Sequence, residues 1–411
     1  MTLFPEHGLS RSEIEAALDA ASVDHDALRG GPASFSLEVD EDLQGVILHA
    51  FGRFLTHNAV FGESLPSLST MEAELIAMAV EILRGGPEAT GFVTLGGSES
   101  IFTALHGART RARSRGHGPV YEVVCPETIH PAFAKACHYL GLDLVAIPPG
   151  EDLRADVAAM ERACGPATIA MCGSAPQWPH HRFDEIGALA AVAVEKDLWF
   201  HVDACVGGYL APFVAEAGWP IPDFDFSVPG VCSLSADLHK WGYAAKPAST
   251  VLFASEELAE FAKAPAVDWD CGVYVTPSVA GTRPGASLAA AWSVLRYLGR
   301  DGFVELARRT MTVRDRLVDG IDAIDGMSSR STDLAMVIYG SDTLDTMAVG
   351  DAMEAKGWLV MRLIAPTPQL QLLVDRLSDE FVDAFLVDLE AAVAEVAAGR
   401  RSPEMQRASA Y

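Results

Sequence analysis

Lysine is scarce in this chain of 411 residues. Six occur, at 135, 196, 240, 246, 263 and 356, and basic residues total 30 against 56 acids, a formal charge of −26. That shortage argues against a nucleic-acid partner, because each bound phosphate needs a nearby cation to release its counterions. It argues against an anionic membrane surface for the same reason. A small anionic ligand stays possible, since a local pocket of helix N-termini can oppose the global field. No apolar run reaches the ~18 residues of a spanning helix, and positions 1–28 lack the charged-then-apolar form of a leader, so a cytoplasmic protein is expected. Cysteine is thinly spread at 125, 137, 164, 172, 205, 232 and 271, with no C-x-x-C pair. An odd, scattered set reads as reduced thiols. His180 and His181 are adjacent with no third ligand close in sequence, so no metal site is expected. What is abundant is apolar: half of the residues, enough to exclude disorder and to fill more than one core.

The order of elements gives the architecture. Residues 1–55 read as an N-terminal arm or helical segment, broken at Gly30-Gly31-Pro32. Ser69-x-x-Glu72 has the form of a capping box opening a helix that Gly85-Gly86-Pro87 stops. Short β-prone runs at Gly91–Thr94, Val120–Val124, Asp143–Ile147, Thr168–Met171, Trp199–Val202 and Ser249–Phe253 then alternate with Ala-rich helical segments. Such alternation predicts an α/β fold with a mostly parallel sheet, covered by helices on both faces, over a large domain of residues 56–285. Longer helices after that point predict a smaller C-terminal α+β domain over 286–411.

Three local patterns carry chemistry. Lys240, inside Ser-Ala-Asp-Leu-His-Lys-Trp-Gly at 235–242, follows a predicted strand. A buried lysine loses pKa and becomes an amine nucleophile, although a surface lysine at a strand end has the same local pattern. Asp203 ends the apolar run Trp-Phe-His-Val-Asp, at the sheet edge where α/β folds place ligands; it reads equally as a cap of the next helix. Thr94-Leu95-Gly96-Gly97-Ser98-Glu99-Ser100 is a strand, a glycine turn and a helix start, which makes either a phosphate cradle or a plain turn. It is neither G-x-S-x-G nor a P-loop.

Taken in order, phosphate turn, strand-end Asp and then Lys 37 positions later resemble the fold-type I enzymes that use pyridoxal 5'-phosphate (PLP). The segments Gly-Gly-Ser-Glu-Ser at 96–100, His-Val-Asp-Ala-Cys at 201–205 and Ser-Ala-Asp-Leu-His-Lys-Trp-Gly-Tyr-Ala-Ala-Lys at 235–246 make the likeness specific. So do Ala-Pro-Gln-Trp-Pro-His at 175–180, Val-Asp-Trp-Asp-Cys-Gly-Val-Tyr at 267–274 and Ala-Gly-Thr-Arg-Pro-Gly at 280–285. Together they resemble the sphingosine-1-phosphate lyases within the group II PLP-dependent decarboxylase superfamily. The likeness spans roughly residues 30–375.

The resemblance implies a seven-stranded sheet and a role for each matching residue. Lys240 is expected to form the Schiff base with PLP, Asp203 to hold the pyridine nitrogen protonated and His130 to stack on the ring. Gly97, Ser98 and His239 are expected at the cofactor phosphate, with Ser174 and Cys205 in the same cofactor set. Thr282 stands where the family has a hydroxyl reaching that phosphate from a neighbouring subunit, which implies a homodimer with its active site at the interface. Lys246 and Tyr274 are expected in the substrate pocket, with Phe35, Asn58 and Phe61.

Two of these depart from the family pattern. Phe35 stands for a tyrosine, and Phe61 for the histidine of Asn-x-Leu-His-Pro, whose asparagine is retained as Asn58. Each lost hydrogen bond to a charged group is worth roughly 1.5–3 kcal/mol. The expectation is therefore a small amine or amino acid substrate rather than a phosphorylated sphingoid base. Carbon–carbon cleavage beside the amine-bearing carbon is the first expectation. Decarboxylation of an L-amino acid is the alternative, and a non-catalytic PLP-fold binding protein is the reading from another class.

Overall fold

The computed structural model of the chain describes residues 7–26, 37, 39–60, 65–270, 272–374 and 377–399. They fall into two units. The larger comprises residues 37–315 and 331–336. The smaller takes 316–330 and 337 onward with the N-terminal helix Arg11–Asp26.

The larger unit is built on seven strands: β1 (Thr90–Thr94), β2 (Glu122–Pro126), β3 (Asp143–Ile147), β4 (Thr168–Ser174), β5 (Trp199–Asp203), β6 (Ser233–Ala236) and β7 (Ser249–Phe253). Their order is β1-β7-β6-β5-β4-β2-β3. β4, β5, β6 and β7 are buried along their whole lengths. Strands covered on both faces need near-continuous apolar sequence, which is why β4, β5 and β7 were visible in the chain. β6, Ser-Leu-Ser-Ala, shows no such run, and only the expectation of a strand before Lys240 pointed to it. Its serines are accommodated because both make hydrogen bonds inside the core. The sheet is mixed: β7 runs antiparallel to β1 and β6, and the other pairings are parallel. The carboxyl ends of β1, β2, β4, β5 and β6 therefore share one edge, the edge where such sheets bind ligands.

Helix Gly97–Ser114 packs on this sheet through Ile101, Ala104, Leu105 and Ala108, in one core with Trp199, Val251 and Phe253. A helix does begin near Ser69, but at Pro66, with Leu65 in the cap position and no side-chain cap. Glu72 is drawn away from any capping box by an ion pair with Arg283. A short hairpin, β8 (Val267–Trp269) and β9 (Gly272–Tyr274), stands exposed. Helix Gly285–Asp322 follows, kinked at Gly299, whose φ of 58° suits glycine.

The smaller unit carries β10 (Ser328–Arg330), β11 (Met336–Gly340), β12 (Met361–Leu363) and β13 (Gln369–Leu373), in the order β10-β11-β13-β12. Helices Thr346–Ala355 and Asp379–Ala397 belong to it. Phe385 is edge-on to both Tyr339 and Trp358 in its core. No helix among the described residues is long and apolar enough to cross a membrane.

Candidate active site

A polar row crosses three strands at the carboxyl edge. Ser174 of β4, Asp203 of β5 and Ser235 of β6 are register neighbours, and all are buried. Asp203 Oδ1 accepts the Cys205 N–H at 3.1 Å and the Ser235 hydroxyl at 3.2 Å. Behind it, Ser235 Oγ lies 3.4 Å from His201 Nε2, and His201 Nδ1 lies 2.8 Å from Ser233 Oγ. The Trp199 indole N–H donates to Ser233 Oγ at 2.8 Å. Burial drives His201 down to about 4, against the pull of Asp203, so the imidazole is neutral at pH 7 and leaves the Asp203 charge uncancelled. Beside Asp203, the buried Ser174 hydroxyl has no hydrogen-bond partner among the described residues. An orphaned buried hydroxyl costs roughly 1–3 kcal/mol, so it marks a place for a ligand group.

Past the end of β6 the chain turns through Asp237, His239 and Lys240. The turn is fixed because Ala236 O accepts the hydroxyls of Ser249 and Thr250 at 3.1 and 3.0 Å. The His239 N–H donates to Ala248 O at 3.0 Å, and the Ala248 N–H donates to His239 Nδ1 at 3.2 Å, which puts the imidazole proton on Nε2. Lys240 Nζ lies 3.0 Å from Asp237 Oδ2, and His239 Nε2 lies 3.8 Å from the same oxygen.

This pairing corrects the expectation for Lys240. Burial pushes its pKa down, but Asp237, Cys205 and Asp203 together outweigh burial, and the net direction is up. For Asp237 burial pushes up, Lys240 and His239 pull down, and the net direction is down. The resting pair is ammonium and carboxylate. Asp237, three residues before Lys240, was in view in the sequence but was not singled out. Burial lowers the Lys246 amine, and the positive charge of Lys240 adds to this.

The glycine turn closes the edge beyond β1. A Cβ on Gly97 would stand 2.5 Å from Cys205 Sγ and 3.1 Å from Asp237 Oδ1, so no side chain fits there. Gly96 sits at φ 155°, with His239 next to it. The backbone is thus pressed against Cys205, Asp237 and His239, at the N-terminus of an 18-residue helix whose first N–H groups can take an anion. Ser98, the next residue, is exposed. Glu99 was missed by motif reading. Its Oε2 accepts the Leu95 N–H at 2.7 Å, while Oε1 accepts the Ser278 hydroxyl at 3.1 Å and the Val279 N–H at 2.8 Å. It ties the turn to the loop that leads to the exposed Thr282.

His130 belongs to the same cleft. Its Nδ1 accepts the Ala132 N–H at 3.1 Å, and burial lowers its pKa while Asp203 and Asp237 oppose this and Lys240 assists. Asn58 lies at the start of the kinked helix. Its Oδ1 accepts the N–H groups of Arg283 and Val60 at 2.9 and 3.1 Å, tying down the start of helix Gly285–Asp322. Tyr274 is exposed on β9. Phe35 and Phe61 lie outside the described residues. Among those residues, no group of three or more His, Cys, Asp or Glu could hold a metal ion.

Buried titratable groups near the cleft set an acid limit on stability. Burial takes the fully buried His181 down to about 3, with Arg314 and Lys240 adding to it. His181 and His201 are neutral in the fold but bind protons when unfolded below their ordinary 6.5. Stability therefore falls with falling pH, by about 1.4 kcal/mol per pH unit for each histidine. Asp184 acts oppositely. It accepts the Ser174 and Ala155 N–H groups at 2.7 and 2.8 Å, and burial raises it to about 6. The proton it keeps stabilises the fold at low pH, and this contribution is lost as pH rises through about 6. Two histidines outweigh one carboxyl, so the urea midpoint is expected to drop between pH 6.5 and 4. A flat midpoint over that range contradicts this.

Comparison with known proteins agrees with the geometry. Residues 40–326 match the family model described as the pyridoxal-dependent decarboxylase conserved domain. The chain is 36% identical to sphingosine-1-phosphate lyase 1 of Rattus norvegicus over 357 residues, 86% of this chain and 63% of the rat protein, so it spans less than two thirds of that relative. It is 31% identical to a probable L-tyrosine/L-aspartate decarboxylase of Methanothermobacter thermautotrophicus, over 78% of this chain and 86% of that protein. The solved sphingosine-1-phosphate lyase of Burkholderia pseudomallei superposes with a TM-score of 0.90 at 32% identity, covering 96% of this chain and 93% of that one. The expectation that a phosphorylated sphingoid base is not the substrate finds no support here. Relatives this similar carry that substrate in their names.

Proposed function

The chain belongs to the pyridoxal-dependent decarboxylase family, and from that premise we propose that it is a PLP-dependent carbon–carbon lyase acting on a phosphorylated β-hydroxy amine of the sphingosine 1-phosphate kind. The observation that carries the reading is the convergence of Lys240, Asp203 and the Gly96-Gly97 turn at one sheet edge, around the unpartnered Ser174 hydroxyl. Those residues suit PLP, and all lie in the segment 56–285. The helix-start N–H groups of Gly97 and Ser98, with His239, offer donors to a phosphate. Asp203 offers an acceptor for a pyridinium N–H, His130 a flat ring, and Lys240 an amine for the aldehyde. Ser174 and Cys205 fill out the wall.

PLP bound there supplies an electron sink for negative charge on the carbon beside the substrate amine. The protein's own work is to hold that sink protonated through Asp203 and to carry protons at Lys240 Nζ. Lys246 adds a second cation near Lys240, suited to an anionic substrate group. The test is product analysis of the PLP-loaded protein. Long-chain aldehyde from sphingosine 1-phosphate supports the reading, and no product from any amine overturns it. Carbon dioxide from tyrosine or aspartate instead favours the decarboxylase reading, to which the archaeal relative lends support.

The family resemblance also leads us to a homodimer. The β8–β9 hairpin offers the surface: Trp269 and Val273 are each 65% exposed, with Val267, Tyr274 and Val275 beside them. Apolar side chains grouped this way mark an interface. Trp269→Arg is expected to shift the protein from dimer to monomer by light scattering. It should also lower turnover by about a hundredfold, since an interface anchor is lost and Thr282 no longer reaches a neighbour. An active monomer overturns the shared site.

A further inference from the structure

The sheet edge opposite the cleft, where β4 and β5 begin, holds a second site. A cavity of about 350 Å³ lies there, between the end of helix Gly97–Ser114 and the turns that precede β4 and β5. That volume falls in the small-molecule range of roughly 300–1,000 Å³. Its lining is basic in a chain that is otherwise strongly acidic. Arg111, Arg115, His117 and Lys196 line it, and Lys196 is one of only six lysines.

The two guanidiniums are held in place. Arg111 and Arg115 each donate to Asp197, both at 2.7 Å, one to each carboxylate oxygen. An arginine has five N–H donors, so each keeps most of its fork after that bond. Asp197 is the lining acid; the two held guanidiniums and Lys196 against it leave a surplus of two positive charges. Glu122 stands near the wall, where it accepts the Thr168 hydroxyl at 3.3 Å, and Glu161 acts electrostatically on the lining Cys164. Neither lines the cavity. A surplus of two matches the charge of a phosphate monoester at neutral pH, about −1.5 to −2, and fixed guanidinium forks match phosphate geometry.

We propose that this cavity binds a phosphate-bearing small molecule, at a site separate from the PLP cradle and independent of which bond the enzyme breaks. The experiment is calorimetric titration of inorganic pyrophosphate into the PLP-saturated protein at constant ionic strength, so that the cofactor cradle is already filled. Saturable one-site binding is expected. Arg115→Gln with Lys196→Gln should weaken it by about tenfold or more, since two charge-assisted contacts are removed. Both side chains are exposed, so the core stays intact. Lys135→Gln with Lys263→Gln changes the net charge equally elsewhere and should leave binding unchanged. Absence of saturable binding overturns the site. So does equal weakening in both double variants, or no weakening in the first.

Discussion

Lys240→Ala is expected to lower turnover by at least about ten-thousand-fold and to abolish the visible absorption of the PLP-loaded protein. Its amine is the one placed 3.0 Å from Asp237 and electrostatically coupled to Asp203 and His130. Alanine also leaves Asp237, 3% exposed, without its counter-ion, and breaking a buried pair costs about 3–5 kcal/mol. An inactive alanine variant could therefore be merely unfolded. Lys240→Arg separates the two effects: it keeps a cation beside Asp237 but supplies no amine for an aldehyde. The arginine variant is expected to melt close to the wild type while losing the same turnover and colour. A coloured, active arginine variant sinks the assignment.

The fold was legible where burial demanded apolar sequence. β3 and β7 have the predicted bounds, and β4 and β5 run three residues and one residue further. β6 was expected only as a strand before Lys240, without bounds, because a strand satisfied by internal hydrogen bonds, through Ser233 and Ser235, carries no hydrophobic signature. Motif order singled out Lys240, Asp203 and the Gly96-Gly97 turn, and the fold places each at, or within four residues of, the carboxyl end of a strand. Asp237, Glu99 and Asp184 were not singled out. Their roles depend on partners brought by the fold, such as Val279 for Glu99, 180 positions away. Charge balance was similarly opaque. Sequence suggests a lysine made basic-poor by burial, whereas the groups the fold gathers around it, Asp237 foremost with Cys205 and Asp203, reverse the sign.

Asp203→Asn is expected to be the next most damaging change, and the surroundings of Asp203 say why it should act on turnover more than on folding. Asparagine keeps an Oδ1 to accept the Cys205 N–H and the Ser235 hydroxyl, so the contacts at 3.1 and 3.2 Å survive. What it loses is the charge, and in place of the second oxygen it presents an amide N–H donor. Were His201 cationic, it would already have cancelled much of that charge across Ser235. Its pKa of about 4 keeps it neutral at working pH, so the carboxylate is fully available to a pyridinium N–H. Losing a buried charge of this kind is expected to lower kcat by about a hundred- to thousandfold with PLP saturating, and the melting temperature should change little. The measurement is kcat after titration to full cofactor occupancy. An asparagine variant with wild-type kcat would show that the row at the carboxyl edge does not tune the cofactor.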